Sequence, residues 1–426
     1  MSSENNTEEL ARVFRNIDDS AEEMLSFLGD LIREPAMGPG SGGEGELAKA
    51  RILESHLRDF GFQIIQWYNA PDERVPSSIR PNIKAMLKGT NSGPETTEAG
   101  ISPGRIIIIT HIDIVPPGPP DQWDFDPYRI VVKDGKAIGR GVEDNGQSLT
   151  ASIFAAKALM DLNIQPPRDI VLIFVSDEEE TNEKGIQFIL DQGLIESGDL
   201  IIVADHGEPE GRLIDVTEKT IIWIRVTVLG QQCHASLPHL GKNAFRASML
   251  FGSRVDQLLH EKFSTEDPRF DHRFSSFEPT KREPDQSGIN VLPGETTFYF
   301  DCRLLPAHSP REVMEVMNTV ARDVEKETGT TITLEPVLEE TTDHPTPEDA
   351  PIVRMLSRAI LQASGKTAIT GGISGGTCAA ILRNAGHEVA VWETIDNTAH
   401  SPNEYIRIDN LINDCKVFAT LFLQEL

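Results

Sequence analysis

Cysteine is scarce in this chain. There are four in 426 residues, Cys233, Cys302, Cys378 and Cys415, and no two are spaced C-x-x-C. That argues against a thiolate zinc site and fits a reducing compartment. Basic residues are also in deficit, with 39 Lys and Arg against 67 Asp and Glu and a net charge of −28. Such an acidic excess argues against nucleic acid or an anionic membrane surface as partner. No apolar run approaches the roughly 18 residues of a membrane-spanning helix. Residues 1–30 lack a basic start followed by an apolar block, so no signal peptide and a cytoplasmic location are expected. H-E-x-x-H is absent, which removes the single-zinc helical protease.

The chain is too long for one simple core, and two domains are expected. Helical patterning covers about residues 8–32 and 46–60, and a Gly-rich loop lies between them. Strands are expected at 62–67, 82–87, 106–110, 170–175 and 200–204, with helices after Asp144 and near 183–193. A polar stretch at 88–103 reads as a surface loop. Strands alternating with helices imply an α/β domain with a mostly parallel central sheet and helices on both faces.

The pattern changes near Thr217. A half-exposed strand at 221–229, a helix at 243–260, strands near 289–303, a helix at 310–328 and a strand at 330–336 spell a β-α-β-β-α-β-like, ferredoxin-like α+β block. Residues 264–288 read as an irregular loop and the acidic, Pro-rich stretch 339–351 as a linker. The expected organisation is a first domain built from 1–217 and 338–426, with 218–337 inserted.

Metal-type side chains fall where these strands end. His111 follows the run Ile106–Thr110, Glu179 closes the acidic run after 170–175, and Asp205 follows 200–204. Asp144 sits in a Gly-rich turn opening a helix, and His400 in a polar loop. Open α/β sheets bind ligands at the carboxyl ends of their strands. Each residue alone has an ordinary explanation: Asp144 as a helix cap, Asp177–Glu180 as a solvated charge run, His400 as a loop histidine. Together they make a mixed imidazole and carboxylate set that suits Zn²⁺, Co²⁺ or Mn²⁺. Asp113, two residues after His111, is placed to accept from the histidine's other ring nitrogen. The charges of Asp144, Glu179, Asp205 and one hydroxide would balance two divalent cations, which favours two metals over one.

The motifs Thr110-His111-x-Asp113, Gly139-Arg140-Gly141-x-x-Asp144, Asp177-Glu178-Glu179, Asp205, Gly230-x-x-x-His234, Asn290-Val291-x-Pro293-Gly294, Asp301-x-Arg303 and Ala399–Glu404 occur in this order. In them the chain resembles metallopeptidase family M-twenty, over nearly its whole length. That family includes acetylornithine deacetylase, succinyl-diaminopimelate desuccinylase, aminoacylase and glutamate carboxypeptidase. The resemblance implies that Asp144 bridges two metals, with Glu179 and His400 completing one site and His111 and Asp205 the other. Zinc is the first choice of metal. Glu178 would be the general base acting on a metal-bridging water, in hydrolysis of an amide in a dipeptide, a C-terminal peptide residue or an N-acyl amino acid. The inserted block would be a lid and dimerisation domain of a homodimer. His234 would stabilise the oxyanion, and Asn290 and Arg303 would hold a substrate carboxylate. A cis peptide is implied at Asp144–Asn145. Many relatives carry Asp and then Lys-Gly after the bridging Asp, whereas this chain has Asn145-Gly146-Gln147. That departure puts the substrate-side contacts in doubt.

Two rival enzyme signatures are present. Gly372-Ile373-Ser374-Gly375-Gly376 matches G-x-S-x-G, but 368–371 is a short strand signal for a nucleophile elbow. The segment reads instead as a Gly-rich loop, with Gly376 near the substrate. Residues 38–43 match G-x-G-x-x-G without the preceding strand that a dinucleotide site requires. A non-catalytic binding protein on the same scaffold is the other alternative, though such a protein is expected to lose Glu178 or a ligand.

Overall fold

The computed structural model describes residues 3–91, 104–284, 288–342 and 344–425. Most of the expected 88–103 loop lies outside the described residues. The chain forms two compact units, one of Met1–Val216, Thr346–Thr370 and Thr377–Leu426, the other of Thr217–Pro345 and Gly371–Gly376. The inserted unit therefore runs past 337, because the strand Thr331–Glu340 continues beyond the proline at which sequence patterning stops. It also takes in six residues from the 371–376 loop.

The larger unit is an α/β layer structure around an eight-stranded sheet. In spatial order the strands are Ile64–Pro71, Ile79–Leu87, Ile170–Val175, Ile106–His111, Leu200–Gly207, Val389–Glu393, Leu213–Glu218 and Ile369–Ile373. The four central strands run parallel. The Ile64–Pro71 and Ile79–Leu87 hairpin joins Ile170–Val175 antiparallel, and Leu213–Glu218 joins Val389–Glu393 antiparallel. All residues of Ile106–His111 and Ile170–Val175 are buried, as expected of strands covered on both faces. Helices Gln147–Asp161, Pro351–Ser364 and Ile408–Phe422 pack with them into one core containing Phe154, Leu356, Trp392 and Phe418. The expected 8–32 helix is two helices, Ser3–Asp19 and Ala21–Ile32.

The smaller unit is a β-α-β-β-α-β fold. Its sheet order is Ser276–Arg282, Glu295–Leu304, Thr220–Leu229, Thr331–Glu340, all antiparallel. Ile222, Ile224, Val226 and Val228 alternate inward and share a core with Phe251 and Val255 of helix Ala244–Lys262 and Met317 and Val320 of helix Pro310–Thr328. Asn243 caps the first helix by accepting from the Arg246 N–H at 2.9 Å. Gly329, at φ 68°, ends the second in a left-handed turn.

Two expected loops are strands. Ser276–Arg282 lies within the stretch read as irregular, and Ile369–Ile373 extends the short strand signal at 368–371 into the segment read as Gly-rich loop. Both are edge strands, where proline, glycine and charge are tolerated because one side makes no ladder bonds.

Candidate metal centre

The parallel strands deliver His111 as the last residue of its strand and the acidic turn Asp177–Glu180 just after another. Asp205 lies within the strand Leu200–Gly207, two residues before its end. Asp144 sits in the turn before helix Gln147–Asp161, and the Asp144–Asn145 peptide is cis as the resemblance implied. His400 is on the loop between Val389–Glu393 and the short strand Tyr405–Arg407, with φ 61°.

These residues converge. His111 Nε2 lies 2.7 Å from Asp144 Oδ1 and 3.2 Å from Asp205 Oδ1. His400 Nε2 lies 2.9 Å from Asp144 Oδ2 and 3.1 Å from Glu179 Oε2. The two oxygens of Asp144 thus face opposite imidazoles. Ligand atoms of His111, Asp144 and Glu179 lie within 4.8 Å of one another, and so do those of His111, Glu178 and Asp205. The buried Glu179 Oε1 has no hydrogen-bond partner among the described residues. Crowded carboxylates, two imidazoles aimed between them and an unpartnered buried oxygen fit a cation centre with mixed nitrogen and oxygen donors.

Ionisation follows the same crowding. Burial raises Glu178 well above the usual carboxylate range, and the Asp205 charge adds to it. Burial and the neighbouring Asp144 charge push Glu179 up to about 7. Burial raises Asp205 as well. Asp144 moves down although burial opposes this, because His111 and His400 both hydrogen-bond to it. Hydrogen bonds to Asp144 and Glu179 hold His400 up at about 10. His111 is raised despite burial by the carboxylates of Asp205, Asp113 and Asp144.

The surroundings fix the strand-end turns. Asp113 does more than was expected of it. Its carboxylate accepts from the Glu178 N–H at 3.2 Å and the Glu179 N–H at 3.0 Å. The nearer acceptor for His111 Nδ1 is the Asp113 backbone carbonyl at 3.1 Å, with the carboxylate at 3.5 Å. Arg80 is fully buried, paired with Glu46 and, at 3.2 Å, with Asp177, whose φ is 63°. Lys49 Nζ donates to the Ile112 carbonyl at 2.9 Å. Asn145 Nδ2 donates to the Ala204 carbonyl and, at 3.0 Å, to Asp205 Oδ1, so this departure from the motif turns toward an acidic ligand candidate. The G-x-G-x-x-G segment wraps Glu180: Ser41 N–H donates to its Oε1 at 2.9 Å, and a Cβ on Gly38 would come within 2.4 Å of its carboxyl.

Sequence reasoning missed Glu143 and Glu404 as site components, although both fall inside quoted motif segments. Their signal was an acid beside apolar residues in a segment that also carries a ligand. Arg80, Glu46 and Lys49 gave no local signal, since their partners are distant in sequence.

The remaining expected residues lie on the smaller unit. His234 is exposed on the two-residue strand Cys233–His234, which pairs with Val291–Leu292. Its Nδ1 lies 2.7 Å from the Ser236 hydroxyl and 3.2 Å from the Ser236 backbone nitrogen. Asn290 is exposed, and its carbonyl accepts from the Ala235 N–H at 2.8 Å. Arg303 forms a bidentate pair with Asp301, at 2.7 and 3.0 Å. Gly376 is exposed, and a Cβ there would meet Ile221 at 3.4 Å and Glu340 at 3.5 Å. Ser374 is exposed just after its strand, and no described histidine hydrogen-bonds to it.

Residues 107–424 match the model of peptidase family M20/M25/M40. An uncharacterized metallohydrolase of Methanocaldococcus jannaschii is 35% identical over 417 residues, covering 94% of this chain and 98% of that protein. A succinyl-diaminopimelate desuccinylase of Bordetella pertussis is 27% identical over 401 residues, covering 92% and 95%. Among solved structures, the di-peptidase Dug1p of Saccharomyces cerevisiae superposes with TM-score 0.70 at 16% identity, covering 97% of this chain and 98% of that one. The chain belongs to peptidase family M20/M25/M40 and is an enzyme acting on amide bonds.

Proposed function

We propose that the protein is a dinuclear metal-dependent hydrolase that cleaves an amide bond in a small substrate with a free carboxylate. Dipeptides, the C-terminal residue of a peptide and N-acyl amino acids form the class. The observation that carries this reading is the placement of Asp144, with one oxygen beside His111, which also contacts Asp205, and the other beside His400, which also contacts Glu179. Asp144 would be shared by two cations, one completed by His111 and Asp205 and the other by Glu179 and His400. Bound there, two divalent ions, zinc first and cobalt or manganese as alternatives, would polarise the amide carbonyl and make water acidic enough to react near neutrality.

Glu178 is the proton carrier in this reading. Its carboxylate borders His111 and Asp205, and burial raises its proton affinity. It takes a proton from the attacking water and delivers it to the leaving amine. Asp113 holds the backbone of Glu178 and Glu179 in place. His234, exposed on its short strand, would donate to the oxyanion, in the site of a second copy if the smaller unit forms the dimer contact. Asn290 and Arg303 would hold the substrate carboxylate, with Asp301 orienting the guanidinium, and Gly376 would leave room for substrate. The desuccinylase and di-peptidase relatives support the substrate class. Four free cysteines accord with a cytoplasmic location, and no helix among the described residues is long and apolar enough to cross a membrane.

The test is turnover of a panel of dipeptides and acetyl- and succinyl-amino acids. The protein is stripped with a chelator and reloaded with Zn²⁺, Co²⁺ or Mn²⁺. Activity should vanish on stripping and return with metal. Chelator-resistant activity that Ser374→Ala abolishes would replace this reading with a serine hydrolase. Two bound metals with no turnover across the panel would favour a binding protein.

A further inference from the structure

The two loops that carry Asp144 and His400 hold each other through a pair of buried carboxylates. Glu143 precedes Asp144 in sequence, yet its side chain serves the other loop. Its Oε1 accepts from the Asp396 N–H at 2.8 Å, and its Oε2 from the Ala399 N–H at 2.7 Å, from the Thr398 N–H, and from the Thr398 hydroxyl at 3.0 Å. Glu404 lies four residues after His400, and its side chain serves the Asp144 loop. Its Oε2 accepts from the Gly141 N–H at 2.9 Å and from the Arg140 guanidinium. Its Oε1 accepts from the Glu143 N–H at 2.8 Å and the Asp144 N–H at 3.1 Å. Each carboxylate collects three backbone N–H groups from the opposite loop. Both side chains are almost fully buried.

This exchange does for His400 what a strand does for His111. His400 is on no helix or strand, its φ is 61°, and its side chain is 55% exposed. A non-glycine residue in the left-handed region persists where its surroundings over-determine it. The Thr398 hydroxyl closes the loop base by accepting from the Tyr405 N–H at 3.0 Å, and its one proton is shared between the Tyr405 carbonyl at 2.8 Å and Glu143 Oε2. All four carboxylate oxygens of the two glutamates accept from the opposite loop.

We propose that Glu143 and Glu404 are positioning residues that form a reciprocal latch, in which Glu143 sets the affinity of the metal position completed by His400 and Glu179, and Glu404, by holding the backbone of the shared Asp144, sets that of both positions. The inference rests on the two-cation reading. Partners that orient a ligand typically contribute 10–100-fold in metal affinity when removed. A glutamine in place of either glutamate keeps the shape but brings an amide N–H₂ against backbone donors, so part of the loop is released. In Glu143→Gln one metal position then becomes weak while the other stays tight.

The experiment measures bound metal by elemental analysis and titrates Co²⁺ into stripped protein by visible absorption, for the wild type, Glu143→Gln, Glu404→Gln and His400→Ala. The wild type should bind two ions and His400→Ala one tight ion. Glu143→Gln should keep the first ion and bind the second about 10–100-fold more weakly, whereas Glu404→Gln, which loosens the shared Asp144, should weaken both. Excess Co²⁺ should restore the second absorption component in Glu143→Gln, an effect that a merely destabilised fold would not show. If Glu404→Gln fails to fold, Thr398→Ala tests the same latch, because it removes one Glu143 contact and the Tyr405 closure; it should weaken the second ion alone. Two ions bound with wild-type affinity in Glu143→Gln overturn the latch while the two-cation reading stands. A wild type that binds fewer than two ions overturns that reading, and the latch with it.

Discussion

His111 and His400 approach the same Asp144 carboxylate, but one side chain is 1% exposed and the other 55%. The His111 side is built on the sheet. His111 ends a buried strand, Asp205 lies in the adjacent parallel strand, and Asp113, Lys49 and the Arg80 cluster brace the turns. The His400 side is built on loops, and its bracing is the exchange of buried carboxylates between them. The contrast teaches that ligand geometry can come from the core or from local backbone capture. Damage should spread differently in the two cases: loss of support on the strand side should threaten the fold, whereas loss on the loop side should loosen a metal and leave the fold standing.

The largest expected effect lies between the two halves. Glu178→Ala should retain both metals and lose kcat by about 10²–10⁴-fold, the usual contribution of a positioned acid–base group. Metal analysis beside steady-state kinetics checks this, and near-normal turnover would remove the proton-carrier role. The next effect separates the halves by stability. Arg80→Ala leaves Glu46 and Asp177 buried without their cation, which should cost about 3–5 kcal/mol. Urea unfolding should show that loss for Arg80→Ala and a smaller one, about 1–2 kcal/mol, for Glu143→Gln, whose buried N–H partners lose an acceptor. Equal losses would erase the contrast.

The smallest effect is one of pH. In the metal-free protein Glu179 is raised to about 7 and His400 to about 10, so both hold protons at or above neutrality that a cation must displace. Apparent metal affinity should therefore rise with pH through that window, with net proton release. Calorimetry in buffers of different ionisation enthalpy measures the protons released, and pH-independent affinity would contradict the expectation.

Much of the catalytic scaffold is legible in the sequence. Isoleucine-rich strands such as Ile106–His111 announce burial on both faces, and acids or imidazoles at their ends break that pattern abruptly. The ligand candidates stood out for this reason. The Asp144 and His400 segments needed motif order, because a turn aspartate or a loop histidine has no periodicity to betray it. Edge strands such as Ser276–Arg282 were hidden because exposure admits proline and charge, which read as loop. The bracing residues were hidden for a different reason: Glu143 and Glu404 act on backbone about 260 residues away, and Arg80 on Asp177. Such partners become visible only once the chain has folded.

The central claim is that Asp144 is shared by two cations. Crystals of the zinc-loaded protein, measured at the zinc absorption edge, test it most directly. The account predicts two anomalous peaks about 3.5–4 Å apart, one beside His111 and Asp205, the other beside His400 and Glu179, with Asp144 between them. A single peak, or two peaks that leave Asp144 unliganded, would contradict it.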